Sequence, residues 1–398
     1  MAVYTRYVDA DAVAGGDGQS LGTVDGTHID NDGSAHRPYA SLSAWEAAEQ
    51  AAHGATDDDI VNCGSQTSAH TADATYCAIS GWTGKTTGTI QIIGDVTSGA
   101  WDDTKYRIVP TPDAHCILSE EDNLQIRRVQ ARQNQGGASY KHGLTLHGTS
   151  CVVDGCIVRG QGKSILSCYG IQDDADGSTK TVTIRNTVVY GFYFSVWFYT
   201  GTTVELDNCS IATAFRGISR IGSATVTAKN TYVGNCDDAE YDGTVTRTTC
   251  AHASSTSYSG STANVAYSTA NFTNVTTNSE DFHLVDDSPL IGVGTDLSTT
   301  FTTDITGATR TTWDIGAFLY VEEETGQFAR PVSDVAAGGW TASTGSDLYA
   351  MVDESAASDA DYITSGAAPA ADTAVMTLGT LSTPVAGTVT LRIRAKYN

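Results

Sequence analysis

One short phrase recurs four times between Val152 and Asn235: Asp154-Gly-Cys-Ile-Val-Arg-Gly160, Arg185-Asn-Thr-Val-Val-Tyr-Gly191, Asp207-Asn-Cys-Ser-Ile-Ala-Thr213 and Lys229-Asn-Thr-Tyr-Val-Gly-Asn235. Aligned on their third residue, the copies fall at Cys156, Thr187, Cys209 and Thr231, so one longer step is followed by two equal shorter ones. A weaker copy, Arg127-Arg-Val-Gln-Ala131, aligns on Val129 and stands a comparable step ahead of Cys156. A period in the twenties, with β-branched alternation and no helical pattern between copies, predicts a solenoid of stacked strands. Secondary runs lie between the copies, at Gly143-Leu-Thr-Leu146, Tyr169-Gly-Ile171, Phe194-Ser-Val-Trp-Phe198 and Gly217-Ile-Ser219. Each period therefore carries more than one strand.

The second slot of the phrase holds Gly155, Asn186, Asn208 and Asn230. Asn tolerates the left-handed backbone, and amides aligned on successive turns can hydrogen-bond as a ladder. The residues Ile157, Val188, Ile211 and Val233 are expected to stack inside the coil. Cys156 and Cys209 share a slot but have Thr187 on the turn between them. Two turns separate them by roughly 9 to 10 Å, beyond the reach of a disulfide. The nine cysteines contain no CxxC or Cys/His ligand cluster and read as small, buried, reduced residues.

With 40 Gly against 7 Pro, the 398-residue chain has the composition of many short strands joined by tight turns. Net charge is −24, from 46 acidic and 22 basic residues, which argues against a nucleic-acid partner and an acidic-polysaccharide substrate, although a local basic groove is compatible with it. No apolar run approaches a bilayer span and the start lacks the pattern of an export signal, so neither a membrane association nor Sec export is expected.

The ends differ from the middle. Residues 1 to about 40 hold acidic turns that complete no calcium loop, so no metal is expected there. In Ser41-Leu-Ser-Ala-Trp-Glu-Ala-Ala-Glu-Gln-Ala-Ala52, Ser43 and Glu46 have capping-box spacing, and Leu42, Trp45 and Ala48 or Glu49 share a helical face. This predicts one short amphipathic helix covering the open end of the strand stack. Glu322-Glu-Glu-Thr-Gly-Gln327 reads as a charged hinge. Near the C-terminus, Val389, Leu391, Ile393, Ala395 and Tyr397 alternate with Thr390, Arg392, Arg394 and Lys396. The basic face of that strand is either a docking surface for an acidic neighbour or an edge guarded by charge.

The repeated Asn-Thr/Cys-x-Val phrases resemble the right-handed parallel β-helix of the pectate-lyase-like class. The stretch from Phe282-His-Leu-Val-Asp-Asp-Ser-Pro-Leu-Ile-Gly-Val-Gly-Thr-Asp296 through Trp313-Asp-Ile-Gly-Ala-Phe318 is similar to the closing segment of many bacterial and phage β-helix proteins. Gly338-Gly-Trp-Thr341, Leu348-Tyr-Ala-Met-Val-Asp-Glu354 and Asp359-Ala-Asp-Tyr-Ile-Thr-Ser365 resemble a small β domain of tailed-phage structural proteins. These resemblances imply an all-β chain: a right-handed parallel β-helix over 1–321, with a cap region (1–59), a body (60–250) and a closing segment (251–321), followed by a small antiparallel β-sandwich domain over 327–398.

Catalysis on a β-helix would need clustered carboxylates, a calcium site or a poised base. The candidates are Asp173-Asp174-Ala-Asp176 with Lys180, Arg216 with Arg220, and Lys141-His142. No GxSxG, HExxH, P-loop or dinucleotide fingerprint is present, and no cofactor is expected. Among the aromatics of Tyr190 to Tyr199, Phe194, Trp197 and Tyr199 form either a carbohydrate platform or a subunit contact. The resemblances imply a virion structural protein of a tailed phage: a decoration, fibre or spike on capsid or tail, made in the host cytoplasm, exposed on the particle, assembled as a homotrimer, and free to contact a host glycan. A polysaccharide depolymerase or lyase of tailspike type is the alternative.

Overall fold

The computed structural model describes residues 2–20, 23–25, 28–30, 36–65, 69–82, 84–111, 114–134, 141–164, 168–173, 177–254, 258–259, 261–321, 330–352, 362–365 and 373–379. The chain divides into two compact units, Met1–Val321 and Glu322–Asn398.

In the first unit a nine-stranded sheet runs in chain order through Val3–Val8, Asp58–Cys63, Ile90–Ile93, Leu124–Arg127, Ser150–Asp154, Lys180–Arg185, Thr202–Asp207, Thr225–Lys229 and Val245–Thr248. Every neighbouring pair is parallel. Parallel neighbours in chain order require a full circuit of chain between them, so the sheet is one wall of a coil. A second sheet supplies the rest of each circuit, first as separate short strands such as Gln130–Arg132 and Leu144–Leu146. In the later turns these fuse into the 11-residue strands Val188–Phe198, Ser210–Arg220 and Tyr232–Asp242. The chain is a parallel β-helix. One interior column, Val61, Ile92, Ile126, Val153, Ile184, Leu206 and Ala228, is fully buried. Its early members are partners across long stretches of chain, whereas Ile184, Leu206 and Ala228 follow one another at the short, even step of the later phrases.

The recurring phrase is the bend between the two walls. Its second slot is left-handed on six successive turns: Arg128 (φ 51°), Gly155 (67°), Asn186 (48°), Asn208 (50°), Asn230 (47°) and Thr249 (50°). Arg128 and Thr249 hold that conformation against their own preference, at about 1 kcal/mol or more each. The third slot continues past the sequence phrase to Cys250, which lies one turn beyond Thr231. Its side chains bond back to the carbonyl two residues earlier: Thr187 to Arg185 (2.8 Å), Thr231 to Lys229 (3.0 Å), Cys209 to Asp207 (3.4 Å) and Cys250 to Thr248 (3.6 Å). A small side chain fills this slot on each of these turns, and all but Val129 of the weak copy bring a donor to it. All nine cysteines are free thiols, eight of them buried.

The expected interior row needs correction. The register places Ile157 beside Val188, Ser210 and Tyr232, whereas Val158, Val189, Ile211 and Val233 form the next column. The second column packs in the interior cluster. Ile157 and Val188 point the other way, into a second cluster with Phe282, Leu290, Ile305 and Phe318. Both faces of the strand are buried, so β-branching alone does not tell inside from outside.

The outer face is covered by the closing segment. After the hairpin of Phe272–Asn274 with Asp281–Leu284, the chain returns along the left-handed bends. Asn208 Nδ2 donates to the carbonyls of Asp314 (2.8 Å) and Gly316 (3.0 Å). Asn230 Nδ2 donates to Thr295 (2.8 Å), and Arg310 donates to Asn186 Oδ1 (3.1 Å). The amide row makes one side-chain rung from turn to turn, Asn230 to Asn208 at 3.1 Å. Its main work is to hold this return strand.

At the other end the helix Leu42–Glu49 inserts Leu42 and Trp45 into the interior cluster, with Trp45 against Trp82 at 5.2 Å. Its N-cap is Ser41, which accepts from Ala44 N at 3.0 Å. Ser43 lies inside the first turn, so the cap sits two residues before the expected position. Glu46 instead accepts from Ser80 N (3.1 Å), tying the helix to the first turn.

In the second unit Pro331–Ala336 pairs antiparallel with Val375–Leu378, and Thr341–Ala342 with Ile363–Thr364. The hinge 322–327 and the basic strand with Arg392, Arg394 and Lys396 lie outside the described residues.

Candidate functional site

A column of rings crosses the turns at the bend leading into the last strand of each circuit. The register aligns His115 with His142 and Tyr169, then Tyr169 with Phe194 and Phe194 with Arg216. The rings are in contact: His115–His142 5.1 Å, His142–Tyr169 4.6 Å with planes 5° apart, and Tyr169–Trp197 5.1 Å with planes 7° apart. Phe194 lies 4.2 Å from Trp197 and 5.3 Å from Tyr169, and Tyr199 meets Trp197 edge-on at 5.7 Å. Tyr193 joins Phe194 to Phe215, stacking on the latter at 4.6 Å and 2°. Each such pair is worth about 0.5–1.5 kcal/mol beyond burial. The band therefore stiffens itself.

Phe194 and His142 are buried within the band, while His115, Tyr169, Tyr193, Trp197, Tyr199 and Phe215 are half-buried. Trp197 Nε1 is enclosed with no hydrogen-bond partner among the described residues. Arg216 ends the column, its guanidinium 5.6 Å from the Phe194 ring and 5.7 Å from that of Phe215. It is held by Asp238 (2.5 Å) and Asp242 (2.6 Å), and these partners, working against partial burial, raise its pKa.

The candidate acid–base groups are engaged in holding the coil. His142 accepts at Nδ1 from Tyr169 N (3.2 Å), and burial lowers its pKa to about 3. His115 is lowered to about 4 by the same cause, so both rings are neutral at pH 7. Asp173 is fully buried; it accepts from Tyr199 N at 2.8 Å and from the Thr202 hydroxyl. Burial raises its pKa against those bonds. Lys180 is 1% exposed. Arg220 donates to Ala224 O (2.6 Å), so Arg216 and Arg220 serve different local structures. Lys141 is half-buried beside His142. Asp174 and Asp176 lie outside the described residues. Among the described residues no group of three His, Cys, Asp or Glu side chains could hold a metal ion.

Phe194, Trp197 and Tyr199 come together as one patch, but the patch continues into rings from other turns. His115, Tyr169 and Phe215 were not singled out from sequence. The signal was present in the residue just ahead of each secondary run: His115-Cys-Ile, His142-Gly-Leu, Tyr169-Gly-Ile, Phe194-Ser-Val and Arg216-Gly-Ile.

No family of known proteins matches the chain, and no curated protein matches it. Among solved structures it is similar to the crystal structure of pectate lyase Pel9A, at 11% identity and a TM-score of 0.41, over 81% of this chain and 97% of that one. The parallel β-helix is assigned here on the chain's own strand order and register.

Proposed function

We propose that the chain is a non-enzymatic β-helical structural protein of a phage virion, carried on the particle surface as a homotrimer, and that its aromatic band contacts a glycan of the host surface. The observation that supports this best is the continuous run of rings in contact from His115 to Phe215, most of them half-buried. Flat rings held on a rigid wall match the apolar faces of pyranose rings. The repeat itself is consumed by stacking and by holding the closing segment, the behaviour of a scaffold. The resemblance of 338–365 to a small domain of tailed-phage structural proteins directs the reading to a virion, and that of residues 282–318 to the closing segment of bacterial and phage β-helix proteins is compatible with it.

The experiment has two parts. Mass spectrometry of purified particles should find the chain at a fixed copy number, and its absence there would sink the virion assignment. Trp197→Ala with Tyr169→Ala should abolish adsorption to host cells while particles still assemble. Unchanged adsorption would remove the glycan contact, and release of reducing or unsaturated ends from host polysaccharide would replace it with a depolymerase.

A further inference from the structure

Away from the aromatic band, one group of buried polar atoms is left unpaired. The register stacks Arg132 on Arg159 and Arg159 on Tyr190 in three successive turns, at the strand spacing of about 4.8 Å. Arg159 is 8% exposed, Tyr190 1% and Glu280 3%. Among the described residues, Arg132 Nε, Arg159 Nε and the Tyr190 hydroxyl have no hydrogen-bond partner, and the Glu280 carboxylate lies close enough to act on Arg159 and Tyr190. Glu280 reaches this place on the hairpin, whose Phe282 packs 5.9 Å from the Tyr190 ring. The Trp101 ring lies 5.4 Å from the Arg159 guanidinium.

Two guanidiniums on adjacent strands repel each other, and burial together with Arg159 lowers the pKa of Arg132. Two carboxylates attract the pair, Asp103 acting on Arg132 and Glu280 on Arg159, but Asp103 is exposed and bound to Arg107, and the Glu280 oxygens accept from neither arginine. Trapped water would satisfy the guanidinium hydrogens but would leave them without a charged acceptor in direct contact. An oxyanion answers both needs, because its oxygens can accept from both guanidiniums at once.

We propose that Arg132 and Arg159, with the Tyr190 hydroxyl as a third donor and Trp101 as an apolar wall, bind an oxyanion of the carboxylate, sulfate or phosphate class. This site is independent of the aromatic band and of the function proposed for it.

Calorimetric titration of the full chain with sodium sulfate, phosphate and glucuronate, each against chloride at matched ionic strength, tests the site. One saturable site per chain is expected. Arg132→Gln and Arg159→Gln should each weaken it by about tenfold or more, the scale of a lost charge-assisted hydrogen bond. Glu280→Gln removes the carboxylate facing the anion and should tighten binding several-fold. Stronger binding of sulfate or phosphate identifies a free inorganic ion, and stronger binding of glucuronate an acidic saccharide. Absence of saturable binding, or unchanged affinity in the arginine variants, overturns the proposal, as does weaker binding in Glu280→Gln. If Arg159→Gln fails to fold, Arg132→Gln at the half-buried position decides the matter.

Discussion

The slot filled in turn by Cys156, Thr187, Cys209, Thr231 and Cys250 shows how a single position is specified. Thr231 donates to Lys229 O and accepts from Cys209 N at 3.4 Å. Thr231→Cys keeps the size and a donor, and should change stability by less than about 1 kcal/mol; Thr231→Val strands a buried N–H and should cost about 1–3 kcal/mol in denaturant unfolding. Asp207 is the opposite case. It is 1% exposed, its two oxygens have no hydrogen-bond partner among the described residues, and Lys229 lies 3.9 Å away with its ammonium on Glu205. Burial, then Glu205, raises its pKa to about 6. A carboxyl raised in the folded state binds more protons there than in the unfolded chain, so its contribution to stability falls as pH rises from about 4 to about 6. Asp207→Asn should flatten that decline and stabilise the protein at pH 7 by about 1–3 kcal/mol. Unfolding curves at pH 4, 5, 6 and 7 measure both, and an unaltered pH profile would refute the assignment.

The asparagine bends act as elements rather than as residues. Asn208→Ala loses the left-handed preference and leaves the carbonyls of Asp314 and Gly316 without their donor, for an expected loss of about 2–4 kcal/mol. Asn208→Gly restores only the backbone part. Hydrogen exchange should show residues 290–317 losing protection in both variants while the interior strands keep theirs. Much of this element was readable in advance: the left-handed slot, the cap helix and several strands follow from local spacing. The partner of the amides was not, because Asn208 and Asp314 stand 106 positions apart and nothing periodic joins them. The inner row was misread by one residue at Ile157 and Val188 for a related reason. Alternation assigns a strand's two faces, but which face meets the core depends on what later covers the other.

For the whole molecule, the repeat made the coil legible, while only the Phe194 to Tyr199 part of the aromatic band could be read ahead of the structure, because the column of His115, His142, Tyr169, Phe194 and Arg216 changes residue type from turn to turn although its steps are as regular as those of the phrase. Shared position without shared residue type leaves no repeated word to find, and the register restores the column. The charge of −24 also acts at this scale: self-repulsion is screened by salt, so raising sodium chloride from about 10 to 150 mM should raise the unfolding midpoint. A fall would mean that local ion pairs such as Arg216 with Asp238 outweigh it.

The circuits near the helix, such as the one from Ile92 to Ile126, take up more chain than the later ones, such as those from Ile184 to Leu206 and from Leu206 to Ala228. Room for added chain is nevertheless set bend by bend. At Gly162, in a long circuit, an added Cβ would meet nothing within 4 Å; at Gly201, in a short one, it would lie 2.4 Å from Ser178 O. A short Gly-Ser insertion after Gly162 should leave the unfolding midpoint within about 2 °C, and the same insertion after Gly201 should lower it by more than about 5 °C. New loops, tags or grafted epitopes would therefore find room at an open bend such as Gly162, while a corner packed on backbone, such as Gly201, works as a fixed gauge block.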